Sequence, residues 1–116
     1  GYKSALDEEQ IAFNPDLIRY GDFERETGYK YAKELIEEHG VSAIFGMTDR
    51  IAGGVYDYLE EKGLVAGKDI SVVGFDDQDI ASYFRPGLTT ARLPLYEIGR
   101  LAAELLLEML KEGDIK

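Results

Sequence analysis

The chain has no cysteine among its 116 residues, which excludes disulfides, thiolate metal ligands and a cysteine nucleophile together. Basic residues are scarce, since 13 Lys and Arg stand against 23 Asp and Glu for a formal charge of -10. Binding to nucleic acid needs a basic face that releases counterions from phosphate, so this balance argues against the segment itself meeting DNA. Long apolar runs are missing too: none approaches the ~18 residues of a membrane span, and the amino terminus has no signal-peptide core. Internal repeats and low-complexity stretches are absent, and the three prolines are punctuation rather than a linker. What is present, 45% hydrophobic and 31% charged residues, suits one globular unit with a core of ordinary size.

Residues 1–10, GYKSALDEEQ, read as the closing turns of a helix that begins upstream, because no capping residue precedes Tyr2 and Leu6 and the chain opens on Gly1. After Pro15, "LIRY" (17–20) is expected as a short strand leading into the turn Gly21-Asp22. A helix follows, with Gly28, Tyr31, Ala32, Leu35 and Ile36 on one face and Gly40 as its stop. "VSAIFGM" (41–47) is a strand, Thr48-Asp49 caps a helix running to Lys62, and "DISVVGF" (69–75) and "LTTARL" (88–93) are two more strands. Pro94 opens a last helix with an unusually wide apolar surface over 95–110. The alternation predicts an α/β fold, a parallel sheet flanked by helices on both faces. Sites in such sheets form at the carboxyl ends of the strands. Those ends carry Thr48 and Asp49, then Asp76 and Asp77, then Arg92.

Three acidic residues in four positions, Asp76, Asp77 and Asp79, pose the functional question. Asp77-Gln78-Asp79 has the D-x-D spacing of a phosphatase nucleophile and its acid-base partner, but it sits late in the chain and lacks the following Gly-Thr. A phosphorylation receiver needs a carboxylate pair after its first strand and a lysine after its last, to hold Mg²⁺ and phosphate. Here the pair follows the third strand and no lysine follows "LTTARL". Asp77 and Asp79 are read as turn and cap residues, with 78–83 as a short helical turn. Asp76, directly at the strand end, is read as a hydrogen-bond acceptor for a polar ligand.

The stretches "AIFGMTDRIAGGVYDYLEEKGL", "DISVVGFDD" and "YFRPGLTTARLPLYEIGRLAAELLL", together with "GDFERETGY", resemble the effector-binding domain of lactose/galactose repressor-type transcription regulators. The resemblance covers nearly the whole chain. It implies one lobe of a truncated type I periplasmic-binding-protein-like fold, with residues 1–92 as carboxyl-terminal lobe and 93–116 as crossover and helix. That helix would lie against an amino-terminal lobe outside this chain. Within these residues alone, its apolar surface is expected to pack on the chain's own sheet or on another chain. The implied function is binding of a small effector, a sugar or related metabolite, which controls operator binding by a helix-turn-helix domain absent from this chain. A periplasmic sugar-binding protein of a transport system is the alternative. No catalysis, cofactor or metal is implied, and a regulator of this kind is expected in the cytoplasm as a homodimer.

By the same resemblance Asp76 contacts ligand hydroxyls, Phe23 of the "GDF" turn stacks on the ligand ring, and Thr48, Asp49 and Arg92 complete the ligand set. Thr48 stands where the family has asparagine, and Leu93 where many members have a glutamine that reaches the ligand. Ile51, Gly54, Val55, Tyr58, Tyr83 and Phe84 are implied as dimer-interface residues. His39, the only histidine, is read as a cationic partner of a helix carboxyl end. Tyr29, Tyr31, Tyr56 and Tyr58 fall on helices, where packing or partner contact explains them.

Overall fold

In the computed structural model, which describes residues 1–113, the order of helices and strands is α1 (Tyr2–Glu8), α2 (Arg25–His39), β1 (Ala43–Phe45), α3 (Asp49–Glu61), β2 (Ser71–Asp76), β3 (Thr89–Arg92) and α4 (Leu95–Glu112). Short 3-10 turns occupy Pro15–Leu17 and Asp79–Tyr83. Local chemistry sets the boundaries. Extended Thr48 accepts the Ile51 N–H on its hydroxyl at 3.2 Å and so starts α3. Gly40 ends α2 at φ 60°, a left-handed position that only glycine takes without strain.

The three strands are parallel, in the order β1-β2-β3. Ile44 is in register with Val72, Gly74 with Thr90, and Asp76 with Arg92, so β2 and β3 end together. One face of the sheet is covered. Ala32 of α2 joins Ala52, Val55, Tyr58 and Leu59 of α3 over Ile70 and Val72, and Leu59 and Val55 are each only 1% exposed. The two helices cross at glycines: a Cβ on Gly28 would lie 2.0 Å from the Ile51 carbonyl oxygen, and one on Gly54 1.8 Å from that of Arg25. Backbone therefore meets backbone, which lets α2 lie flat on α3.

Three expectations are corrected. The strand expected at 17–20 does not form: the Asn14 side chain accepts the Asp16 N–H at 3.0 Å and Pro15 presets a turn, while Ile18 is extended but paired with no strand among the described residues. The sheet is not covered on both faces, because Phe45, Val73 and Phe75 are 48%, 40% and 36% exposed. The alternate side chains of the strands simply have no layer above them. Finally, α4 does not fold back onto its own sheet, and Leu101, Leu105, Leu106 and Leu107 stay half exposed. The Cα radius of gyration of 18.3 Å, against ~13 Å for a compact domain of this length, records that extension. The end of the expected 93–116 segment, residues 114–116, lies outside the described residues.

Candidate functional site

The carboxyl ends of β1, β2 and β3 gather Thr48, Asp49, Asp76, Asp77, Gln78 and Arg92. Asp49 lies at the bottom. It is the first residue of α3, where the helix dipole favours negative charge, and it is 0% exposed. One carboxylate oxygen accepts the Thr90 hydroxyl at 2.5 Å, the other the Gln78 N–H at 2.6 Å. Thr90 in turn accepts the Asp77 N–H at 3.3 Å. Gly74 leaves the room for this: a Cβ there would stand 2.5 Å from the Asp49 Oδ1. Asp49, expected among the ligand residues, is instead enclosed here, with each of its oxygens bonded to a protein donor. Gln78, Thr90 and Gly74 were missed by sequence reasoning. Only Gly74 left a signal, because an isolated glycine inside a strand marks the close approach of another group.

Above this clasp the chain leaves β2 through two consecutive left-handed residues, Asp76 at φ 105° and Asp77 at φ 55°. Such conformations in non-glycine residues cost about 1–3 kcal/mol each and collect at sites where the backbone must aim a side chain. Asp76 is half-buried, and its carboxylate accepts one bond, from the Gln78 side-chain amide at 3.1 Å. An acceptor with lone pairs to spare is left at the sheet end. Asp77 instead receives the Arg92 Nε at 2.6 Å. Asp76, Asp77 and Asp79 do not converge, and among the described residues no group of three or more His, Asp or Glu side chains is placed to hold a metal.

Phe23 precedes α2, whose carboxyl end leads through a short loop into β1. That connection makes helix and strand antiparallel and brings the start of α2 to the same end of the sheet as Asp76. The turn is fixed by Asp22, which accepts the Thr27 hydroxyl and the Glu24 N–H; these bonds hold its carboxyl below the usual carboxylate range. Phe23 is 66% exposed and is not spent on the core.

The residues expected at a dimer interface divide. Val55 and Tyr58 are core, Gly54 is closed by α2, and buried Phe84 stacks on Tyr56 at 4.9 Å between ring centroids. Within the single chain these four pack internally. Tyr83, at 76% exposure, and partly exposed Ile51 remain open. Two shallow concavities of about 380 and 410 Å³ open near Tyr56, Val65 and Ala66, and neither is lined by Asp76.

The family model for the periplasmic binding protein-like domain matches residues 1–116. The chain belongs to that family. As a periplasmic binding protein-like domain it is 41% identical over 115 residues to the HTH-type transcriptional repressor PurR of Vibrio atlanticus, covering 98% of this chain and 34% of that protein. A solved LacI-family regulatory protein from Chloroflexus aggregans superposes with a TM-score of 0.90 at 31% identity, over 96% of this chain and 41% of that one. A LacI-family transcriptional regulator from Enterococcus faecium, solved with bound ribose, does so at 0.84 and 34%, over 99% of this chain and 43% of that one. The chain thus spans about a third of the length of the curated relatives it matches.

Proposed function

We propose that the chain forms one wall of an effector cleft in a DNA-binding transcription regulator, and that a small polyhydroxylated ligand, a sugar or related metabolite, docks at the carboxyl ends of β2 and β3. The carrying observation is half-buried Asp76, which ends β2 on a left-handed backbone and whose carboxylate accepts one bond, with acceptor capacity unused. A carboxylate takes two hydroxyl hydrogen bonds side by side, the pattern a vicinal diol presents. Exposed Phe23 supplies a ring face at the same end of the sheet, Thr48 a hydroxyl, and Arg92, tied to Asp77, a charge. The repressor relatives support the regulator over a transport component.

Control is allosteric in this reading: the effector binds the closed and open arrangements of two lobes with different affinity and so shifts operator binding elsewhere in the protein. With a charge of -10, this segment leaves DNA contact to another domain. Exposed Tyr83 and Ile51 supply the part of a homodimer surface that the core does not consume, and the regulator works in the cytoplasm, without cofactor or catalysis. The test is calorimetric titration of the complete polypeptide with D-ribose, the sugar bound by the Enterococcus faecium relative. Asp76→Ala should weaken binding by about 1.5–3 kcal/mol, the worth of a charge-assisted hydrogen bond. Unchanged affinity would remove Asp76 from the site.

A further inference from the structure

We infer that Asp49 is a positioning residue: from beneath the sheet end it sets the backbone turn that presents Asp76, without touching ligand itself. The inference deepens the reading of that end as a ligand surface. It stands on three independent pieces of geometry. Asp49 is 0% exposed, so it cannot reach a ligand. Its two oxygens serve the two sides of the turn, holding Gln78 N–H directly and Asp77 N–H through the Thr90 hydroxyl. And the held residues are those that follow or adopt the strained conformations, Asp76 and Asp77 at φ 105° and 55°.

The alternatives are weaker on physical grounds. A buried carboxylate that only filled space would be replaced without loss by an apolar group, because burying the charge is costly. Here the cost is met by donors placed 29 and 41 residues along the chain, and the glycine at 74 is required for that carboxylate to enter. The strain at Asp76 and Asp77 must be offset by something that overdetermines the turn. A short hydrogen bond at each end of a rigid, helix-anchored carboxylate does this. Since Asp49 is the first residue of α3, any shift of that helix is transmitted to Asp76 through a single side chain.

Hydrogen-exchange mass spectrometry of the complete polypeptide tests this, in wild type, Asp49→Asn, Thr90→Val and Thr90→Ser. Asp49→Asn keeps the shape but turns one acceptor into a donor, and Thr90→Val keeps the shape but removes the hydroxyl relay. Both should speed exchange over residues 76–84 roughly tenfold or more while exchange in α2 and α3 is unchanged. Thr90→Ser, which restores the hydroxyl, should exchange as wild type. The inference is overturned if 76–84 exchanges unchanged in Asp49→Asn, or if protection is lost evenly across α2 and α3, the mark of a residue that only supports the core. A parallel titration with D-ribose separates the two claims. If wild type binds, Asp49→Asn should lose affinity as Asp76→Ala does, and retained affinity overturns the inference. Failure of wild type to bind would count against the functional reading alone, since the exchange arm decides Asp49 without ligand.

Discussion

The Asp49 carboxylate accepts the Gln78 backbone N–H at 2.6 Å across 29 residues of chain, joining the start of α3 to the turn that leaves β2. Both ends of this bond sit where a parallel sheet places its ligands. One of the two is nevertheless wholly internal. The division of labour between a buried aspartate and an open one, Asp76, organises the expectations below.

Gly54→Ala should be severely destabilising. The new Cβ would stand 1.8 Å from the Arg25 carbonyl oxygen and 2.5 Å from the Tyr29 nitrogen, and backbone on both sides cannot yield. A loss of about 3 kcal/mol or more in denaturant unfolding is expected from such overpacking. Gly99→Ala in α4, where nothing lies within 4 Å, should instead favour that helix by about 0.5–1 kcal/mol and raise its helical content by circular dichroism.

Thr48→Ala should cost about 1 kcal/mol, because the Ile51 N–H loses its cap. Thr48→Asn should leave stability unchanged, asparagine being at least as good a cap. Equal losses in the two variants, measured by chemical denaturation, would show that the cap contributes little.

Phe23→Ala should separate binding from folding. The ring is 66% exposed, so unfolding should move by no more than about 0.5 kcal/mol. Titration with D-ribose should show affinity lower by about 0.5–1.5 kcal/mol if the ring stacks on the sugar.

Alkaline pH should destabilise the fold in part through Tyr58. Burial first, and then the 3.0 Å bond its hydroxyl donates to Glu37, raise the phenol above its ordinary value of 10.0. The folded chain thus holds this proton more tightly than the unfolded one. The contribution is complete below pH 10.0 and is lost as pH rises toward the folded value. Tyr58→Phe should be less stable by about 1 kcal/mol at neutral pH, and its deficit should shrink above pH 10.0 in denaturation curves taken across that range.

Much of this was legible in local chemistry. Thr48 and Gly40 announced the ends of α3 and α2, the apolar runs announced β1, β2 and β3, and Asp76 could be placed at a strand end before any coordinates. The strand at 17–20 was misread because its composition fits a strand, while the Asn14 cap and Pro15 turn the chain just before it and no neighbouring strand pairs with it. Strand propensity is a property of a pleated surface rather than of a segment. Val55 and Tyr58 were placed at an interface by the family resemblance, while helical spacing showed only that their face is apolar and not what it meets. Here that face meets α2 and the sheet.

The sequence by itself determined where α2 ends and α3 begins, the parallel α/β class, and which positions lie at the carboxyl ends of the strands, because caps, glycines and apolar periodicity act within a few residues. Only the tertiary structure decided which aspartate does what. Asp49, Asp76 and Asp77 carry the same carboxyl group, and the chain near each shows its place at a strand end but not its partners. They differ because Thr90, Gln78 and Gly74 close around the first, Arg92 takes the third, and the second, half-buried, accepts only the Gln78 side-chain amide. Hydrogen bonds of 2.5–2.6 Å between residues 15, 29 and 41 positions apart exist only once the strands have paired.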